Sequence, residues 1–175
     1  MKSTSVIVLA LLGGSTSAQV LDDGRPELHR KAQALPDVAL ANVVEAVEAA
    51  WAAQTQRWQA PLLIAIAWGE SRFIASTVTG IACGPMQTIA YTRTACRSMQ
   101  NMLAGFKAGV SELEEWDRDR RTHHDLKLIL LAYACGNSAF NGTCKKRAWP
   151  GWVLKRARAL GFVESVRPLR YNSVM

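Results

Sequence analysis

Glu70 is the side chain best placed to do chemistry: a carboxylate that follows the apolar run Leu62 to Trp68 and the small residue Gly69, with Ser71, Arg72 and Phe73 next. Pro61 suits the first turn of a helix, and Leu62-Leu63-Ile64-Ala65-Ile66-Ala67-Trp68 has no polar face. The pattern therefore predicts a helix buried on all sides, with Glu70 in its last turn. There the negative end of the helix and the apolar neighbours both disfavour an ionised carboxylate. A carboxyl that holds its proton more tightly than usual suits a general acid. The competing reading is a solvated glutamate at a helix end, and the rest of the chain must decide between them.

Three further segments place small or polar residues at turns or helix ends, where a polymer could approach. In Gly84-Pro85-Met86-Gln87, glycine permits close backbone approach and proline stiffens the turn, while Met86 offers an apolar wall and Gln87 both a donor and an acceptor. Asn101-Met102-Leu103-Ala104-Gly105 carries small residues that allow tight helix contact. Ala132-Tyr133-Ala134-Cys135-Gly136 sets a phenol one turn before a helix stop. Each has a structural explanation when taken alone: Met86 in the core, Gln87 in a turn, Tyr133 a buried aromatic bonded to backbone.

In their order, with Glu70-Ser71 first, the four segments resemble the soluble type of lytic transglycosylase domain. The markers of that family are Glu-Ser at a helix end, Gly-Leu-Met-Gln, Asn-Ile-x-x-Gly and Ala-Tyr-Asn-Ala-Gly. The resemblance runs from about Val43 to Leu160. Pro85 stands where the family has Leu, and Ala134 and Cys135 stand where it has Asn and Ala. The first change suits a turn; the second removes an Asn side chain and suggests a disulfide stiffening the loop beside the site.

The resemblance implies a lysozyme-like fold and cleavage of the β-1,4 bond between N-acetylmuramic acid and N-acetylglucosamine in peptidoglycan, closing a 1,6-anhydro ring instead of adding water. Glu70 would be the single catalytic acid and base, with the substrate's acetamido group stabilising the cationic carbon. Ser71 and Gln87 would contact the sugar or orient Glu70, Met86 would pack on the glycan, and Tyr133 would hydrogen-bond near the carboxyl. Asn101 is read as structural. Trp68, Trp149 and Trp152 could stack on sugar rings but are assigned to the core.

A one-carboxylate mechanism also has support from the residues themselves. Glycosidases with two acids flank the bond with them, yet no Asp or Glu lies between Glu70 and Glu112. Glu112, Glu114, Glu115 and Asp117 are read as the polar side of a helix and Asp125 as the start of another, all at the surface. The alternatives are a hydrolase like goose-type lysozyme, with Asp117 or Asp125 as its second acid, and a non-catalytic wall-binding or assembly protein.

The elements that must position these groups are helical. A polar stretch from Gln19 leads to a helix from Pro26 through Ala34, and Pro36 interrupts it. Asp37 is expected to cap a second helix to about Gln54, with Val38, Leu40, Val43, Val44 and Val47 inward. Residues 76–83 read as a loop or small hairpin. Asn101 to Trp116 forms an amphipathic helix with Met102, Phe106, Val110 and Leu113 on one face. Another helix starts near Thr122 and stops at Gly136, with Leu126, Ile129, Leu130 and Tyr133 inward. The last runs from about Pro150 to Leu160, ended by Gly161. The expected class is mainly α, a single lysozyme-like domain.

The 175 residues suffice for one such domain. Residues 1–18 have the layout of a secretory signal peptide, with Lys2, the apolar stretch Val6 to Leu12, and cleavage expected after Ala18. An extension (19–36), the catalytic domain (37–163) and a tail (164–175) follow. No segment has the length of a stable membrane span, so a soluble exported protein, periplasmic or extracellular, is expected.

Four cysteines fit an oxidising compartment and allow three connectivities. Local pairing, Cys83 with Cys96 and Cys135 with Cys144, is preferred, and crossed pairs stay open. No Cys-x-x-Cys occurs and His123-His124 are adjacent, so no metal or other cofactor is expected. The net charge of +7 suggests an acidic partner. Lys145, Lys146, Arg147, Lys155, Arg156, Arg158, Arg167 and Arg170 concentrate it near the C-terminus, where a solvated face outranks specific nucleic-acid binding. The expected partners are peptidoglycan glycan strands and an envelope-spanning secretion or conjugation machine, the enzyme itself being a monomer.

Overall fold

The computed structural model describes residues 24–164. The expected signal peptide, the start of the expected extension and nearly all of the expected tail, including Arg167 and Arg170, lie outside the described residues. The class is mainly α: among the described residues, seven α-helices and one small antiparallel sheet form a single domain. The helices are α1 (Arg25–Gln33), α2 (Leu40–Ala53), α3 (Ala60–Ser71), α4 (Arg93–Met99), α5 (Met102–Arg118), α6 (Leu126–Cys135) and α7 (Trp149–Leu160).

The apolar run of α3 behaves as its lack of a polar face requires. Every residue from Leu62 to Trp68 is buried, and α7 and α2 pack against it. Gly69 lets α7 come close, since a Cβ there would lie 2.8 Å from the Trp152 ring. Trp152 in turn stacks on Trp68 with ring centroids 5.0 Å apart. The tryptophans assigned to the core thus lock α3 to α7.

Several boundaries differ from expectation. Asp37 does not cap α2: it sits in a turn with φ +59°, and Ala39 holds the cap position without a side-chain bond. The Trp68 indole donates to the Pro36 carbonyl oxygen at 3.0 Å, which ties down that turn. The inward stripe of α2 is Val43, Ala46, Val47 and Ala50, while Leu40 and Val44 are exposed. Helix α1, placed by sequence in an extension, belongs to the domain, because Leu28 and Ala32 are buried in the common core.

The segment after α3 is a three-stranded meander, one strand more than a hairpin: β1 (Val78–Thr79), β2 (Ala82–Cys83) and β3 (Thr88–Ile89). In register, Val78 faces Cys83, and Cys83 faces Thr88. Helix α4 was not anticipated; Thr92 caps it by accepting from the Ala95 N–H at 3.1 Å. Thr122 does not open α6. It lies in a 3-10 turn, Arg120–Thr122, followed by His123 and His124 at positive φ, and Asp125 caps α6 through the Leu128 N–H at 2.9 Å.

Two disulfides form in the preferred local pairing, Cys83–Cys96 and Cys135–Cys144. The first joins β2 to α4, and the second joins the end of α6 to the loop before α7. Paired cysteines are the state that an oxidising compartment maintains. Among the described residues, no helix is long and apolar enough to cross a membrane.

Candidate active site

Four separate stretches of chain meet around the Gly84-Pro85-Met86-Gln87 turn. Glycine at position 84 is required twice over. Its φ is +80°, and a Cβ would fall 2.3 Å from the Met99 carbonyl oxygen. Gly105 receives Pro85 in the same way, with a Cβ 2.3 Å from the proline Cδ, and Gly109 receives Met86, with a Cβ 2.5 Å from its sulfur. Asn101 starts α5 by accepting from the Ala104 N–H at 3.0 Å, so its role is structural. The bare stripe on α5 is therefore the seat of the turn.

Ser71 fastens the end of α3 to that turn. Its buried hydroxyl donates to the Pro85 carbonyl oxygen at 2.7 Å, with the Ala67 carbonyl 3.1 Å away as the alternative acceptor. This geometry spends the Ser71 hydroxyl on backbone carbonyls and fixes the end of the helix that carries Glu70. On the other side, the Tyr133 hydroxyl donates to the Met86 carbonyl oxygen at 2.7 Å. Tyr133 also stacks on Trp149, with centroids 6.4 Å apart.

Two expected sugar contacts are corrected. Met86 is fully buried, so its side chain fills the hole at Gly109 and cannot wall a glycan. Gln87 takes φ +51°, and its side-chain amide donates to the carbonyl oxygens of Thr77 at 3.0 Å and Gly84 at 2.9 Å. Both N–H donors are spent in bracing the sheet against the turn, which leaves only its amide oxygen for another partner.

Glu70 stands at the rim of this assembly with its side chain 13% exposed. Burial raises its proton affinity above the ordinary carboxylate range, and the Lys146 ammonium draws it partly back. That ammonium nitrogen lies 3.9 Å from Oε1 on a side chain that is itself half exposed. Among the described basic residues near the C-terminus, Lys146 meets the acid, while Arg147 donates to the Gly142 carbonyl and Arg158 pairs with Glu164. Arg156 lies over the Trp68 ring, 4.9 Å from its centroid.

A second carboxyl faces the site, and it is not one of those expected. Glu112 was assigned to the solvent side of α5, but its carboxylate turns toward β3 and accepts from the Ile89 N–H at 3.4 Å. Burial raises its proton affinity, the Ile89 N–H and Trp116 side chain lower it, and the charges of Glu115 and Glu70 raise it. Tyr133 lies close enough to feel both carboxylates; burial chiefly pushes its phenol well above its ordinary range, and both charges push it the same way. Thr88 completes the cluster with an enclosed hydroxyl beside that phenol.

The periodicity of α5 contained the signal. Gly105, Gly109 and Glu112 are spaced i, i+4 and i+7, so the face that seats the turn also carries the acid. The two acids considered as partners for Glu70 are committed elsewhere. Asp117 pairs with Arg57 and His124, each at 2.9 Å, and Asp125 caps α6. Among the described residues, no three His, Cys, Asp or Glu side chains are grouped as metal ligands would be.

No family model, no curated protein and no solved structure matches the chain.

Proposed function

We propose that the protein is an exported peptidoglycan lytic transglycosylase with a lysozyme-like catalytic domain. It cleaves the β-1,4 bond between N-acetylmuramic acid and N-acetylglucosamine and leaves a 1,6-anhydro end. The observation that carries this reading is the convergence of all four segments on one turn, with a desolvated Glu70 at its rim and Ser71 holding the helix end to it.

Glu70, protonated, gives its proton to the glycosidic oxygen as the bond to C1 breaks. The resulting carboxylate then takes the proton of the muramic acid 6-hydroxyl as that oxygen closes on C1. One group serves both steps because the first leaves it in the state the second needs. Its raised proton affinity favours the acid form at the start, and the ammonium of Lys146 steadies the carboxylate between the steps. The working compartment is the periplasm or the exterior, where an envelope-spanning secretion or conjugation machine would need local wall opening.

The test is digestion of purified peptidoglycan by the mature protein and by Glu70→Gln, with the soluble fragments identified by mass spectrometry. Anhydro-muropeptides released by the wild type, and reduced about a hundredfold or more in the variant, are expected. Intact glycan bound equally by both proteins, with nothing released, would replace the enzyme with a wall-binding or assembly role.

A further inference from the structure

Glu112 is a partly buried carboxyl with no part in the mechanism above. The chain itself brings it to the same site as Glu70. Ser71, next to Glu70, holds the Pro85 carbonyl, and Glu112 holds the Ile89 N–H. The segment Pro85–Ile89 between those two anchors spans at most about 13 Å when fully extended. The left-handed residue Gln87 bends it, so the anchors are closer than that. Tyr133 binds the middle of the same segment through the Met86 carbonyl. Glu112 and the neighbour of Glu70 thus anchor the two ends of one short stretch of backbone, and the phenol bound between those anchors feels the charge of both carboxylates.

Only part of Glu112 is used by the fold. Oε2 takes the Ile89 N–H at 3.4 Å, a long bond, the Trp116 side chain also donates to the carboxylate, and the residue keeps a partly exposed surface. A carboxylate held by these two donors and still partly exposed has lone pairs left with which to accept the hydrogen of a second molecule. Two acids facing one glycosidic bond are the arrangement that lets water enter the reaction.

Resting on the glycan-cleaving reading above, we propose that Glu112 serves a hydrolytic branch, acting as the base for a water that competes with the muramic acid 6-hydroxyl. Both branches share the first step, in which Glu70 protonates the leaving oxygen and the C1–O bond breaks. In the anhydro branch, the 6-oxygen bonds to C1 and its proton goes to Glu70. In the hydrolytic branch, a water oxygen bonds to C1, its proton goes to Glu112, and a reducing end results. Solvent exchange then restores both carboxyls, and no oxidant, reductant or further co-reactant is consumed. The protein thus makes both kinds of end, in a ratio that Glu112 sets.

Product ratios in the mature enzyme and in Glu112→Gln test this. Wild type is expected to release anhydro and reducing-end muropeptides together. Glu112→Gln, which keeps the size of the side chain and an acceptor for the Ile89 N–H, is expected to lose about a hundredfold of the reducing-end product. Its anhydro product should stay within about twofold of wild type, since Glu70 is untouched. Glu112→Asp, with its carboxyl set back by one methylene, should give an intermediate ratio, and it carries the test if the Gln variant does not fold.

A wild type that yields anhydro ends alone overturns the branch but leaves the transglycosylase intact. An unchanged ratio in both variants does the same. Equal loss of both products in a folded Gln variant assigns Glu112 to the shared step and also overturns it. Release of nothing by wild type is a different result, because it removes the reading of Glu70 itself.

Discussion

At Glu70, two opposed influences set where the carboxyl gives up its proton: burial favours the protonated acid, and Lys146 favours the carboxylate. Lys146→Met removes the second. Glu70 then keeps its proton to higher pH, so the alkaline limb of the activity profile moves upward, and Lys146→Glu moves it further. Initial rates of muropeptide release across the acid-to-alkaline range measure this, and an unmoved limb would show that the half-exposed ammonium is screened by solvent. Glu70 itself was legible in the sequence because a carboxylate closing an all-apolar helix stands out against its surroundings. Glu112 was not, since three acids share its neighbourhood on α5 and composition alone makes that face look solvated. Gly105 and Gly109 showed which way the helix faced, but only once the turn they seat was known to carry the site.

At the scale of elements, the site is a turn clamped between helices, and its glycines are the points of contact. Gly84→Ala should destabilise the protein by about 3 kcal/mol or more, because it combines a positive φ with a backbone oxygen that cannot retreat. Gly109→Ala should cost about 1–3 kcal/mol, since the obstructing group is the flexible but fully buried Met86 side chain. Urea denaturation of the two variants gives the order, and a milder effect at Gly84 would contradict the packing described. Helix positions were readable from apolar periodicity and from breakers such as Pro36, Gly136 and Gly161. Caps and short elements were less so. Asp37 has the chemistry of a cap yet is turned away by its left-handed backbone, and β3 and α4 are too short for any period to declare itself. Met86 and Gln87 were singled out by their motif as sugar contacts, but the contacts they make depend on a partner helix and a sheet that no local pattern specifies.

Across the described residues, two covalent ties and two aromatic stacks hold the site's walls in place. Breaking Cys135–Cys144 with a Cys135→Ala/Cys144→Ala pair should remove about 2–4 kcal/mol of stability. It should also free the loop that carries Lys146, so its pH profile should approach that of Lys146→Met. Thermal denaturation together with the same rate profile checks both, and lost stability with an unchanged profile would separate the tie from the site. Such changes reach the core directly among the described residues, because α3 shares it with α1, α2 and α7. The stack of Trp68 on Trp152 therefore has an optical meaning as well as a mechanical one. Two indoles 5.0 Å apart and inclined by only 13° couple their transitions. Their exciton signal in circular dichroism is a native gauge of whether α7 still rests on the helix that ends at Glu70, readable in the unlabelled protein while substrate, pH or reductant is varied.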